Sequence, residues 1–177
     1  MSDLYISYGT RERHWVSLLA SRLDDAGYDV CWNSTVVPGQ DFYESNGQAM
    51  QASRCILSIW SETSVEDYWV LNDSEAAMAN NTLLSLRHRE VVIPESMRIA
   101  PTVDVTAWDE GSLDSVLEPL LKLVASRCEP SKPTLLERKQ AATERENRLK
   151  AESARREASR QKREQRAAGR RKNTVSS

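Results

Sequence analysis

The chain has 177 residues, 40% of them apolar, and a formal net charge of −2, enough for one core of ordinary size and too little for a second roomy one. It holds no run of about 18 apolar residues to cross a membrane, and Met1-Ser2-Asp3-Leu4-Tyr5-Ile6 lacks the charged and apolar regions of a secretion signal, so a cytoplasmic location is expected. The small net charge hides a polarity: residues 1–130 carry 9 basic and 20 acidic side chains, −11, whereas residues 131–177 carry 15 basic and 6 acidic, +9.

Leu4-Tyr5-Ile6-Ser7-Tyr8, closed by Gly9-Thr10, reads as a strand, and the recurrence of Trp15, Val16, Leu18, Leu19 and Leu23 reads as a helix over His14–Leu23. Gly27 suits the position just past a helix end, after which Tyr28-Asp29-Val30-Cys31-Trp32 resumes strand character. A polar loop over 33–40 contains Pro38-Gly39, suited to a type II turn, and Asp41 can cap a helix running to about Ala52. Arg54–Trp60 is nearly continuously apolar, as a central strand covered on both faces requires. A helix is expected from about Val65 to Ala79, weaker strands around Thr82–Leu86 and Thr102–Thr106, and a final helix from about Leu113 to Arg127; residues 88–101 fit neither pattern.

Strands alternating with helices imply parallel crossovers, which are right-handed almost without exception, and so an α/β fold with a parallel sheet of about five strands and helices on both faces. Ligands of such sheets bind outside the carboxyl ends of the strands. Those ends are the loops after Tyr8, Trp32 and Trp60. Cys31, Cys55 and Cys128 are odd in number and lack metal-ligand spacing, so they read as reduced thiols, and no metal site is expected. His14 and His88 are isolated, and no glycine-rich phosphate loop or Ser-His-Asp arrangement occurs.

From Leu135 to about Ala168 the chain is almost wholly Ala, Glu, Arg, Lys and Gln, all strong helix formers. Pro130 and Pro133 precede this segment and Gly169 is expected to end it, while Glu146 to Lys150 and Glu152 to Arg156 have favourable four-residue spacing. A charged helical or partly disordered tail is predicted, without the apolar seam of a coiled coil. Its charge suits an anionic partner, nucleic acid or an anionic membrane face, although no aromatic interleaves the basic residues to stack on single strands. It also complements the −11 body.

Val30-Cys31-Trp32-Asn33, Val37-Pro38-Gly39-Gln40-Asp41-Phe42, Ser53-Arg54-Cys55 leading to Trp60-Ser61, then Ser64-Val65 and Trp69-Val70, and Val103-Asp104-Val105-Thr106-Ala107-Trp108 follow the first strand in an order and spacing that resemble the Toll/interleukin-1 receptor (TIR) domain, most of all its bacterial branch. The resemblance covers about residues 3–127. It implies a flavodoxin-like fold, a TIR domain over 1–130 and a tail over 131–177.

It also implies one of two activities in signalling or defence. One is binding NAD as substrate, with no tightly bound cofactor, and cleaving its nicotinamide–ribose bond by hydrolysis or cyclisation upon self-assembly. The other is a non-catalytic scaffold that recruits other TIR domains or a second copy of itself. The enzymatic form turns on a glutamate four residues after the tryptophan; this chain has Asp73 there. Glu75 is the less favoured substitute, since two residues along a helix turn it about 200° away. Ser7, Tyr8, Gly9, Trp32, Asn33 and Trp69 are the expected nucleotide-binding residues, and Val37, Pro38, Gly39, Gln40 and Asp41 the self-association loop. A carboxylate against the ribose stabilises the oxocarbenium-like state, and a misplacement of about 1 Å can cost on the order of 100-fold in rate.

Overall fold

In the computed structural model the described residues are 1–32, 42–106 and 113–174, with helical backbone alone over 42–46, 113–116 and 165–174. Five strands, β1 (Leu4–Ser7), β2 (Val30–Cys31), β3 (Cys55–Trp60), β4 (Leu83–Arg87) and β5 (Thr102–Asp104), alternate with α1 (Arg13–Asp25), α2 (Phe42–Gln51), α3 (Tyr68–Ala79) and α4 (Leu113–Ala125). The strands pair in parallel in the order β2-β1-β3-β4-β5. This is the flavodoxin-like order, in which the chain reverses direction of winding beside β1 and leaves a crevice at the carboxyl ends of β1 and β3.

All six residues of β3 are buried, as its unbroken apolar run requires of a central strand. Successive side chains alternate between two cores. Leu4, Ile6, Leu57, Ile59, Leu84 and Leu86 pack with Val16, Leu19 and Leu23 of α1 and Leu117, Leu120 and Val124 of α4. Tyr5, Ile56, Trp60 and Leu83 pack with Val70 and Ala77 of α3.

Several elements differ from the sequence expectation, each for a local reason. β2 holds two residues rather than five: it is the edge strand, paired only through Leu4–Val30 and Tyr5–Cys31, and Tyr28 turns into the core instead. α3 begins at Tyr68, not Val65, because Asp67 accepts hydrogen bonds from the Trp69 and Val70 amides and so caps it. Residues 62–66 form turns, anchored where the Ser61 amide donates to Ser64 Oγ at 2.7 Å and the Ser64 amide donates to Ser61 Oγ at 3.2 Å. Residues 88–101 contain one 3-10 turn, Glu95–Met97.

The chain divides into two compact units, 1–135 and 136–177. Residues 131 and 132 are tied to the first. Ser131 donates through its amide and hydroxyl to the buried Asp3 carboxylate at 3.0 and 2.6 Å, and the Lys132 ammonium meets Asp29 at 2.6 Å and Asp24 at 3.3 Å. The Lys132 amide donates to the carbonyl of Gly27, whose φ of 94° and proximity to the Lys132 carbonyl leave no room for a side chain. The second unit holds the rest of α5, which runs Leu135–Thr174 and passes through Gly169 without ending there. A single glycine costs a helix about 1 kcal/mol, and strong helix formers flank it on both sides.

Candidate functional site

The carboxyl end of β1 and the facing sides of α2 and α3 enclose a cavity of about 540 Å³. Ile6, Met50, Val70 and Ala76 give it apolar walls, and Tyr8, Trp32 and Trp69 bring aromatic rings to it. Among the described residues Ser7, Thr10, Gln51, Asn72, Asp67 and Asp73 bring polar groups to it, and Arg13 brings a cation. An apolar cleft with a few convergent polar groups is the usual form of a small-molecule site.

Asp73 lies in the second turn of α3, half-buried and facing this cavity. It is too far along for the helix N-terminus to account for its charge, a place that Asp67 fills. Ser7 Oγ, at the last residue of β1, donates to Asp73 Oδ2 at 2.8 Å. Burial pushes the carboxyl pKa above its usual range, the Ser7 hydrogen bond opposes this, and the charge of Asp67 adds to it. A carboxylate with a raised pKa in a cleft is a common mark of a functional site. Burial likewise raises the Tyr5 phenol, with the Asp73 charge reinforcing it; burial also raises Tyr8, and the Arg13 cation pulls that shift back.

Tyr8 and Trp32, both lining the cavity, form a tilted pair with ring centroids 6.4 Å apart at 47°. Trp69 remains 47% exposed and is met edge-on by Tyr68, centroids 5.2 Å apart. Thus Ser7, Tyr8, Trp32, Trp69 and Asp73, spread over 67 positions of sequence, converge on one cavity.

Gly9 does not join them. A Cβ there would lie 2.6 Å from Thr63 Oγ1 and 2.7 Å from Glu12 Oε2, so the glycine makes room for the rim's own packing. Glu75 is exposed, on the opposite side of α3 from Asp73. Asn33 and the loop residues Val37, Pro38, Gly39, Gln40 and Asp41 lie outside the described residues.

Arg13 and Asn72, with Thr10, Gln51 and Asp67, are polar cavity residues absent from the site expected on sequence. A signal for Arg13 existed: a cation in the first turn of a helix opposes the macrodipole, so its place there asks for another reason. His88 serves packing, 3% exposed, with its ring 4.0 Å from that of Trp15. Burial depresses its pKa to about 4, with Arg89 assisting and Glu62 opposing. Among the described residues no group of three or more His, Cys, Asp or Glu is placed to hold a metal, and no helix is long and apolar enough to cross a membrane.

A family model described as the TIR domain matches residues 4–118. Among solved structures the chain is similar to the TIR domain of the Toll-related receptor TRR-2 from Hydra magnipapillata, at 17% identity and a TM-score of 0.60, covering 70% of this chain and 98% of that one. A partial likeness, at 16% identity and a TM-score of 0.44, covers 49% of this chain and 57% of a chain in the TIR domains of the activated Roq1 resistosome, which directly recognises the pathogen effector XopQ. No curated protein matches the chain. At these identities the Hydra likeness speaks for the fold alone.

Proposed function

The chain belongs to the TIR-domain family, and from that premise we propose that its cavity binds NAD and that the Asp73 carboxylate assists cleavage of the nicotinamide–ribose bond. The observation that carries this reading is the position of Asp73: four residues after Trp69, half-buried, facing the cavity and hydrogen-bonded by Ser7. As the bond to nicotinamide breaks, positive charge develops on the ribose ring. A fixed carboxylate beside it is worth more in a partly desolvated cleft than in water. Tyr8, Trp32 and Trp69 suit the flat faces of nicotinamide and adenine, and Arg13 suits the diphosphate between them. Attack by water gives the hydrolysed product, and attack by a group of the remaining nucleotide gives a cyclic one.

The measurement is release of free nicotinamide from NAD by the purified full chain, beside Asp73→Ala. Turnover in the wild type that vanishes in the variant supports the reading. No turnover at any protein concentration, including those at which the chain self-associates, overturns it.

A second reading rests on the aspartate itself, one methylene shorter than the glutamate of the enzymatic pattern. In it the chain is a scaffold that self-associates or recruits other TIR domains through residues 37–41, in signalling or defence, with the basic tail taking an anionic partner. Self-association that survives Asp73→Ala in a chain with no turnover would favour it.

A further inference from the structure

Ser7 has neighbours of its own kind. In the sheet register Ser7 stands opposite Ser58, Ser58 opposite Ser85, and Ser85 opposite Thr102, so four hydroxyls form one row across β1, β3, β4 and β5. Hydroxyls buried in a sheet need partners. Ser85 Oγ accepts from Trp60 Nε1 at 3.0 Å. Ser58 and Ser74 meet at 2.7 Å, and because the Ser74 hydroxyl donates its one proton to the Val70 carbonyl at 2.6 Å, Ser58 is the donor between them.

Two adjacent hydroxyls of the row therefore hold two consecutive residues of α3: Ser7 holds Asp73, and Ser58 holds Ser74. Serine side chains are short, so a 2.7 Å contact between Ser58 and Ser74 brings the helix backbone close to the sheet. The other fully buried side chains on this face of α3, Val70 and Ala77, are compact enough to permit that approach. A helix seated this near carries its side chains toward β1. The carboxylate that is one carbon short of a glutamate still reaches the Ser7 hydroxyl.

We infer that Ser7 is a positioning residue for Asp73, and that the Ser58–Ser74 contact seats α3 at the depth that suits aspartate, rather than glutamate, at position 73. This rests on the reading of the cavity as an NAD-cleaving site and deepens it. The Ser7 hydroxyl has a second effect in the same direction: it opposes the burial that disfavours the ionised carboxylate. Ser7 lines the cavity, but its hydroxyl is committed to the acid.

The test uses the full chain with Ser7→Ala, Ser7→Thr and Asp73→Glu, and two readouts: the titration midpoint of the Asp73 carboxyl carbon by NMR, and the pH profile of nicotinamide release. Ser7→Ala is expected to move the Asp73 midpoint and the acid limb of turnover upward together. It should lower turnover near neutral pH by about tenfold, the loss of one hydrogen bond to a charged group. Ser7→Thr, which keeps the hydroxyl, restores both. Asp73→Glu does not exceed the wild type, because the longer side chain overruns Ser7.

A midpoint unmoved by Ser7→Ala, or turnover raised by Asp73→Glu, overturns the inference. If alanine prevents folding, Ser7→Cys keeps the shape with a weaker donor, and the same midpoint shift is read from it. If the wild type releases no nicotinamide, NAD cleavage falls as the function. The NMR midpoint then still decides whether Ser7 governs the carboxylate.

Discussion

The two faces of the sheet are built from alternate residues of the same strands, yet they are made of different material. Toward α1 and α4 the strands present Leu4, Ile6, Leu57, Ile59, Leu84 and Leu86. Toward α3, at the carboxyl half, they present Ser7, Ser58 and Ser85. Aliphatic burial stabilises at roughly 25 cal/mol per Å² without regard to direction. A buried hydroxyl pair nets only about 1 kcal/mol, because each partner gives up water, but it fixes which atom meets which. The face toward α1 and α4 is therefore held by aliphatic burial, whereas on the face toward α3 a row of hydroxyls set among Tyr5, Ile56, Leu83 and Trp60 decides where one helix and its acid stand.

That division predicts opposite outcomes for single substitutions. On the hydroxyl face, Asp73→Asn should lower nicotinamide release by on the order of 1000-fold, as loss of one charged group aimed at the developing charge does. It should also raise thermal stability. The sign follows from the raised pKa of Asp73: its folded state binds the proton more tightly than the unfolded one, so above both pKa values the ionised group destabilises the fold, and a neutral amide removes that penalty. On the other face, Leu57→Ala should cost about 3 kcal/mol in urea unfolding, for lost burial plus a cavity. A Leu57→Ala chain as stable as the wild type, or an Asp73→Asn chain less stable, would break the contrast.

Acid should separate the faces too. His88 continues the alternation of Leu84 and Leu86 and lies against Trp15 of α1. With its pKa depressed from 6.5 to about 4, it favours the folded state fully above pH 6.5 and loses that contribution as pH falls toward 4. Asp73 runs the other way, its penalty fading as pH falls through its raised pKa. His88→Phe should flatten the fall in melting temperature between pH 6.5 and 4, whereas Asp73→Asn, which removes the opposing contribution, should steepen it. Smaller again is the Ser58–Ser74 pair, for which a double-alanine cycle should return a coupling of about 1 kcal/mol.

Much of this fold is legible in the residues, and the limits have physical causes. The apolar run of β3 and the alternation of strands with helices determine the layers and the crevice. Periodicity assigns each side chain to a face; it does not say which residue of the neighbouring strand stands opposite. The row of Ser7, Ser58, Ser85 and Thr102 is a fact of register, and so was out of reach. Apolar spacing suggests that α3 starts at Val65, but Ser61 and Ser64 bind each other's backbone and hold a turn there. Gly9 follows the strand that lines the cleft, but its reason lies in Thr63, 54 positions away.

The smallest expected effect falls on Glu75, and it tests the geometry most directly. Two residues along an α-helix is a rotation of about 200°, so a carboxylate at 75 points away from whatever face 73 presents. Asp73 faces the cavity and Ser74 the sheet, which leaves Glu75 in solvent, where it is exposed. Glu75→Ala should leave turnover within about twofold and stability within about 0.5 kcal/mol, the range of substitutions at solvated positions. A larger loss of turnover would mean that α3 presents a different face to the cavity, with Ser74 off Ser58. The seating of α3 on the hydroxyl row would then be wrong at its first contact, whatever Ser7 does.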